Sequence, residues 1–244
     1  MVSLEDGSVF VGGHEAVAVT RDEGRTWSPV PSLDDADAMG WGLTDDALFV
    51  AGHPGLRRST DAGATFRPVD GLPDPDAHAL GAGADVLYAA GPALGVVASR
   101  DNGLTWEQRS SSNGASFFGR IVVDRTNPDR LFAADAQAGP ATSSDGGRNW
   151  QSLRRPAAVW VSSPDGGTTI YASSGGGQAW RSADGGKNWA TLRLPEGAQL
   201  VEAAALGDGR KLYAAGRDGD TARLWVSVDA GASWEAPAAS RSKS

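Results

Sequence analysis

The 244-residue sequence contains no cysteine, only three histidines and three tyrosines, and fewer basic than acidic residues. The absence of cysteine excludes disulfides and thiolate metal sites. With 22 Lys and Arg against 30 Asp and Glu, the net charge of −8 argues against nucleic acid or an anionic membrane surface as a partner. No apolar run approaches the length of a transmembrane helix, so we expect no membrane insertion.

One phrase, Ser/Thr-x-Asp-x-Gly-x-(Thr/Asn/Ser)-aromatic, recurs six times along the chain. Its aspartates are spaced by 39, 40, 44, 39 and 45 residues. They are Asp22, Asp61, Asp101, Asp145, Asp184 and Asp229. A repeat of about 40 residues indicates an array of equal supersecondary units. Short runs rich in β-branched and aromatic residues, such as Ala47–Gly52, lie between glycines and prolines and predict strands rather than helices.

We therefore predict an all-β fold, a six-bladed β-propeller with four antiparallel strands per blade. The phrase is expected to form the turn between strands three and four of each blade, because Asp accepts hydrogen bonds from the backbone that follows and Gly adopts a positive φ. The predicted blades of this single domain span residues 1–31, 32–70, 71–110, 111–154, 155–194 and 195–237. Residues 238–244 are expected to be a disordered polar tail.

The phrase resembles the Asp-box, or bacterial neuraminidase repeat, and the resemblance covers nearly the whole chain. Asp-boxes occur in sialidases, sortilin-type receptors, xyloglucanases and photosystem II assembly factor-like proteins, and in many bacterial proteins labelled glycosyl hydrolase-like. In that superfamily the box is a structural turn at the blade periphery. The resemblance therefore implies a fold and a structural role for the six aspartates, but no activity.

A ligand site is expected at the mouth of the central channel, on the face where the loops between strands two and three lie beside the loops that join blades. Loop positions that are equivalent between blades, and the residues at the entrance end of the inner strands, supply mixed cationic, anionic and aromatic side chains there. The candidate ligand-binding residues are His14, His53, His78, Arg120, Glu202, Arg217, Trp41 and Trp160.

Three interpretations of these residues stay open. In the first, they are solvated polar residues at the channel mouth without a binding role. In the second, they bind a ligand or partner. In the third, His14, His53 and His78 hold Zn or Cu, for which imidazole is a common ligand. No local histidine spacing supports the metal site, so we predict no cofactor.

Sialidases of the superfamily use three arginines, a tyrosine nucleophile paired with a glutamate, and an aspartate acid/base. The tyrosines of this chain occupy positions where other units carry Phe10, Phe49 and Phe132, which indicates core positions and disfavours sialidase activity. They are Tyr88, Tyr171 and Tyr213. Another glycosidase needs two carboxyls within about 10 Å. Asp76 and Glu202 are the candidate pair, but they belong to opposite blades.

The leading hypothesis is a non-catalytic binding or scaffold propeller, monomeric, whose ligand at the channel mouth is an unknown protein, peptide or carbohydrate. A glycosyl hydrolase-like enzyme and a metal-binding propeller are the alternatives. Aligning Val9 with Leu48 puts Met1 level with Gly40, which leaves no spare strand to complete the last blade. Either side-chain packing closes the ring, or upstream residues such as a removed export signal are missing, so the compartment stays open.

Overall fold

The computed structural model describes residues 1–13, 16–83, 85–154, 157–204, 209–218 and 221–237. Within these ranges the chain consists of short strands, with one 3₁₀ turn at Pro31–Leu33. The strands recur with the same spacing as the repeated phrase, so each group of consecutive strands forms one unit. No helix in the described ranges is long and apolar enough to cross a membrane.

The strands of the first three units are as follows. Unit one contains β1 (Val2–Ser3), β2 (Val9–Gly12), β3 (Val17–Thr20) and β4 (Ser28–Pro29). Unit two contains β5 (Gly40–Leu43), β6 (Leu48–Gly52), β7 (Gly55–Ser59) and β8 (Arg67–Val69). Unit three contains β9 (Ala79–Ala82), β10 (Leu87–Gly91), β11 (Gly95–Ser99) and β12 (Glu107–Ser110).

The remaining strands belong to three further units. Unit four contains β13 (Phe117–Val123), β14 (Leu131–Asp135), β15 (Gly139–Ser143) and β16 (Gln151–Ser152). Unit five contains β17 (Trp160–Ser162), β18 (Ile170–Ser173), β19 (Ala179–Ser182) and β20 (Ala190–Leu192). Unit six contains β21 (Ala198–Ala203), β22 (Leu212–Asp218) and β23 (Thr221–Ser227).

The fold is all-β and propeller-like, but the prediction of six separate four-stranded blades is wrong. Units one, two and five form four-stranded sheets, unit six forms a three-stranded sheet, and units three and four share one eight-stranded sheet. In that sheet β9 and β13 pair in parallel, with Arg120 opposite Leu80. Glycine permits the close approach of these two strands, because a Cβ at Gly81 would lie 2.2 Å from the carbonyl oxygen of Ile121.

Unit six lacks a fourth strand within the described residues and shows only an isolated bridge between Val226 and Glu235. Pro237 follows that bridge and has no N–H to extend the ladder. The first and last units nevertheless contact each other through side chains. Ser3 Oγ donates to the carbonyl oxygen of Ala203 at 3.3 Å, and Lys211 Nζ lies 2.7 Å from Glu23 Oε1.

The core lies between neighbouring units. The second strand of each unit carries one large aromatic side chain that is fully buried; these are Phe10, Phe49, Tyr88, Phe132, Tyr171 and Tyr213. Two of the tyrosine hydroxyls also donate to the backbone of the next unit, Tyr88 to Pro128 at 3.1 Å and Tyr171 to Gly209 at 2.9 Å. The tyrosines therefore join neighbouring units, as expected of core positions.

The repeated phrase adopts one hydrogen-bonded turn, called here the repeated turn. In unit five, Ser182 Oγ donates to Asp184 and accepts from the N–H of Gly186, both at 2.8 Å. The carboxylate of Asp184 also accepts from the backbone N–H and the Nδ2 of Asn188, at 2.9 and 2.7 Å. Gly186 has φ +86°, where a side chain would be strained.

The same bonds recur around the other five aspartates of the phrase. They hold the pKa of each of the six carboxyls near 2, because hydrogen bonds to a carboxylate favour its charged form. The turn also packs on the preceding unit, since a Cβ at Gly63 would lie 2.3 Å from the ring of Phe10. These six aspartates are therefore engaged in the turns themselves.

Candidate functional site

A cavity of about 710 Å³, called here the central cavity, lies where the inner turns of five units meet. Its wall includes the turns between the first and second strands of units one to five, and it extends outward to the repeated turn of unit two at Ser59–Ala62. Its volume is within the range of about 300–1,000 Å³ that is usual for ligand pockets.

The central cavity opens on the face of the repeated turns. In an antiparallel meander, the turns between strands one and two lie at the same end as the turns between strands three and four. The loops between strands two and three lie at the other end, where the sequence places the expected site. The cavity is therefore at the opposite end of the strands from the turn that carries His53.

A charged cluster borders the central cavity. Arg120 on β13 lines the cavity, and its Nη1 donates to Oε1 of Glu202 on β21. Trp160 on β17 donates its Nε1 proton to the other oxygen of Glu202, Oε2, at 2.9 Å. The Glu202 side chain is 0% exposed and that of Arg120 is 17% exposed. These three of the predicted residues thus meet, and they join units four, five and six.

The electrostatics of this cluster differ from those of the repeated turns. Burial raises the pKa of Glu202, while the positive charges of Arg120 and of the N-terminal amino group of Met1, together with the two hydrogen bonds, oppose that rise. A guanidinium has five N–H donors. Glu202 is the sole side-chain partner of Arg120 in the described chain, and no Arg120 nitrogen is both buried and unpaired. The remaining donors are therefore not sealed from solvent, and Arg120 itself lines the cavity.

Local backbone features position the cluster. Strand β13 has a register irregularity between Phe118 and Val122, which interrupts the regular alternation of side chains around Arg120. Gly119 has φ +73°, and a Cβ there would lie 2.3 Å from the ring of Trp160. A glycine at this position therefore lets the indole pack on β13 and reach Glu202.

Charges of opposite sign line different parts of the central cavity. Unit one contributes Glu5 and Asp6, and unit two contributes Asp45 and Asp46. All four of these side chains are at least partly exposed. The arginines Arg120 and Arg125 come from unit four. The cavity is consequently acidic on the side of units one and two and basic on the side of unit four.

A seventh turn of the repeated kind borders the cavity between β17 and β18. Ser163 Oγ donates to Asp165 at 3.0 Å and accepts from the N–H of Gly167 at 2.8 Å, and Asp165 accepts from the N–H of Thr169 at 2.9 Å. The sequence carries its signal, Ser-x-Asp-x-Gly-x-Thr, but Ile170 stands in place of the aromatic residue.

Trp41 is placed in the core rather than at a ligand site. Its side chain is 0% exposed and packs against Phe10 and Phe66, with ring centroids 5.9 and 6.3 Å apart. Its indole nitrogen is buried without a hydrogen-bond partner. Trp41 therefore cannot contact a ligand in the central cavity in this arrangement.

Asp76 and Glu202, the candidate hydrolytic pair, have different side-chain partners. Asp76 lies 2.9 Å from Nε2 of His78, whose ring packs on Phe118 with centroids 4.8 Å apart. Arg120, the partner of Glu202, is level with Leu80, four residues beyond Asp76. Asp76 and Glu202 are thus engaged by different side chains in different units.

The remaining candidates are dispersed. His53 is exposed in the turn between β6 and β7, and Arg217 is exposed on β22. His14 lies outside the described residues. Among the residues that are described, no three His, Asp or Glu side chains are grouped as metal ligands would be. The structure therefore brings no histidine cluster together in its described part.

No family model matches the sequence, and no curated protein matches it. Solved structures do resemble the fold. A GH74 xyloglucanase from Xanthomonas campestris is 18% identical with a TM-score of 0.59, and the match covers 96% of this chain and 45% of that chain. This chain thus spans less than half of the xyloglucanase.

Two further structures cover most of their own chains. YCF48 bound to D1 peptide is 18% identical with a TM-score of 0.58, over 97% of this chain and 80% of that chain. A chain of a nidogen/laminin complex is 11% identical with a TM-score of 0.70, over 91% of this chain and 89% of that chain. At these identities the similarity shows a β-propeller fold alone, shared by enzymes and by proteins that bind other proteins.

Proposed function

We propose that this protein is a non-catalytic binding or scaffold propeller whose ligand occupies the central cavity. The observation that carries the proposal is the position of Arg120, which offers accessible hydrogen-bond donors to a cavity of about 710 Å³ and is held by a fully buried glutamate. Preformed cavities with a few fixed polar groups are typical of ligand sites. The ligand class comprises proteins, peptides and carbohydrates.

The state of Asp76, Glu202 and the aspartates of the repeated turns supports binding over catalysis. Glu202 is enclosed by Arg120 and Trp160, Asp76 is engaged with His78, and the aspartates of the repeated turns are bonded within their own turns. A glycosidase requires two carboxyls that both face the scissile bond. The shared hydrogen bonds of the repeated turns also support our proposal that the chain is an Asp-box protein.

Two of the similar structures hold a peptide or a protein partner. YCF48 is bound to a peptide, and nidogen is in complex with laminin. We extend partner binding to this chain as part of the proposal.

A blocking variant tests the proposed site. Thr60 is exposed and lines the cavity, so Thr60→Trp should obstruct it, whereas Thr191→Trp places the same bulk on the exposed outer strand β20. The full chain and both variants are applied to arrays of octapeptides and of oligosaccharides. We expect the unmodified chain and Thr191→Trp to retain the same probes and Thr60→Trp to lose them. Equal retention by all three proteins would contradict the proposed site.

A hydrolase is the second candidate, and the similarity to a xyloglucanase favours it. The assay is release of reducing ends from xyloglucan by the unmodified chain and by Glu202→Gln. Our proposal predicts no release by either protein. Release that disappears in the folded Glu202→Gln variant would favour the hydrolase.

A further inference from the structure

The chemistry of the central cavity narrows the class of ligand, on the premise that the proposed binding function holds. The first constraint comes from Arg120. Its charge is balanced by Glu202, so its free N–H groups act as directed donors in a nearly neutral pair. Such a pair binds an oxygen acceptor, such as a peptide carbonyl, without requiring a full negative charge on the ligand.

The second constraint is the sign of the charge at the rim of the cavity. Glu5, Asp6, Asp45 and Asp46 are carboxylates open to solvent on two neighbouring turns. One oxygen of Asp6 already accepts from the N–H of Ser8 at 2.8 Å, while Asp45 and Asp46 are both exposed. The four carboxylates outnumber the two arginines of the wall, and Arg120 is already paired with Glu202. The rim as a whole therefore favours a cationic ligand over an anionic one, and the chain's net charge of −8 acts in the same direction.

The third constraint is the absence of aromatic side chains from the described wall of the cavity. Sugar rings are commonly held by stacking on aromatic faces, and that platform is missing here. The apolar parts of the wall come from aliphatic side chains such as Leu4, Leu43 and Ile121. An aliphatic wall beside carboxylates suits the long methylene stem and charged end of lysine or arginine.

We infer that the central cavity binds a short extended peptide segment that carries basic side chains. A backbone or C-terminal oxygen of the segment accepts hydrogen bonds from Arg120, and its basic side chains lie against the carboxylates of units one and two. Glu202 acts as a positioning residue, because it fixes the guanidinium and lowers its net charge.

The probes are three fluorescent octapeptides in which glycine alternates with lysine, glutamate or serine. Asp45→Asn/Asp46→Asn removes two charges at the cavity. Asp34→Asn/Asp35→Asn is the matched control, because it removes the same charge at two exposed residues that do not line the cavity. Asparagine tolerates the positive φ of Asp35, which is 67°.

We expect the lysine peptide to bind at least about tenfold more tightly than the glutamate peptide at low salt. Asp45→Asn/Asp46→Asn should weaken its binding by about fivefold or more, and the control pair by less than about twofold. Equal weakening by the two pairs would show non-specific attraction and overturn the inference, as would equal binding of the lysine and glutamate peptides.

The role of Arg120 is tested with Arg120→Met/Glu202→Gln, which removes both members of the ion pair together. In the folded double variant we expect about fivefold weaker binding of the lysine peptide. Unchanged affinity would overturn the role of Arg120. If no peptide binds but Thr60→Trp still loses probes on the arrays, the peptide inference fails while the proposed function stands. If Thr60→Trp loses no probe, the proposed function fails.

Discussion

The carboxylates of the repeated turns and the carboxylate of Glu202 belong to the same chemical class but have opposite environments. Asp184 is partly exposed and accepts three kinds of hydrogen bond, from a serine hydroxyl, a backbone N–H and an amide, so its pKa lies near 2. Glu202 is fully buried, and burial raises its pKa against the opposing charge of Arg120.

The difference shows that hydrogen-bond donors close in sequence determine the environment of Asp184. Packing between distant segments of the chain determines the environment of Glu202. The turn of Asp184 closes within seven residues, from Ser182 to Asn188. Glu202 meets Arg120 across 82 residues of sequence and Trp160 across 42. Changes at the centre should therefore affect the assembly of several units, and changes in one turn should affect mainly that turn.

The largest effect is expected from Arg120→Ala. This change removes the guanidinium that pairs with the buried Glu202, and breaking a buried pair in this way costs about 3–5 kcal/mol of unfolding free energy. Arg100→Ala is the matched control, because Arg100 forms an exposed ion pair with Asp85 at 2.8 Å, worth less than about 1 kcal/mol. Urea unfolding measures both. Similar costs for the two variants would remove the distinction between centre and surface.

Gly119→Ala should have the next largest effect on stability. A left-handed alanine costs about 1–2 kcal/mol, and the contact of its Cβ with the Trp160 ring adds about 1–3 kcal/mol of overpacking. Gly7→Ala carries the strain alone, since Gly7 has φ +85° and an added Cβ would meet no atom within 4 Å. Thermal and urea unfolding compare the two. An equal loss in both would show that Trp160 does not depend on Gly119.

A single repeated turn should contribute less. Ser182→Ala leaves the buried N–H of Gly186 without an acceptor, which costs about 1–2 kcal/mol. Ser163→Ala should cost a similar amount if the seventh turn is equivalent to the others. Ser28→Ala on the exposed strand β4 should change stability by less than about 0.5 kcal/mol. A negligible loss for Ser163→Ala would show that the seventh turn is not equivalent.

The smallest effect is a pH dependence whose sign differs between the two regions. The pKa of Asp184 falls from 3.8 to about 2 on folding, so its stabilising contribution is present above pH 3.8 and is lost as the pH falls towards 2. The stability difference between the unmodified chain and Asp184→Asn should shrink over that interval. Unfolding measured from pH 5 to pH 2 tests this prediction, and a constant difference would contradict it.

The contribution of Glu202 to stability should depend on pH with the opposite sign. Its folded pKa is raised above 4.5, so its contribution is fully present below pH 4.5 and is lost as the pH rises through the folded pKa. Relative to Glu202→Gln, the unmodified chain should therefore lose stability with rising pH above 4.5. A gain over the same interval would show that Arg120 outweighs burial.

The sequence predicts much of the local structure because the determinants are local. The Ser, Asp and Gly of each repeated turn lie within a few residues, and the positive φ of Gly147, +84°, is needed for that turn. Pairing between β9 and β13 was not predictable in this way. This pairing depends on how closely two inner strands approach each other. Gly81 permits the close approach, but the repeated phrase does not predict it.

The candidate site was predictable in part. Alignment of the units identifies Arg120, Glu202 and Trp160 as inner-strand residues, but their meeting depends on the relative positions of three units. Asp45 and Asp46 read as an ordinary turn in the sequence, because only the assembled ring places that turn on a cavity. The histidines became candidates because they are rare in the sequence. Rarity is a property of composition and does not predict where a side chain lies in the fold.

The central cavity as the ligand site is tested most directly by hydrogen exchange of the full chain, with and without the lysine octapeptide at saturation. We predict slower exchange in the turns that line the cavity, Thr44–Ala47 and residues 123–125, and no change in the turn between β6 and β7 that carries His53. Protection at the His53 turn with unchanged exchange in the cavity turns would contradict the account.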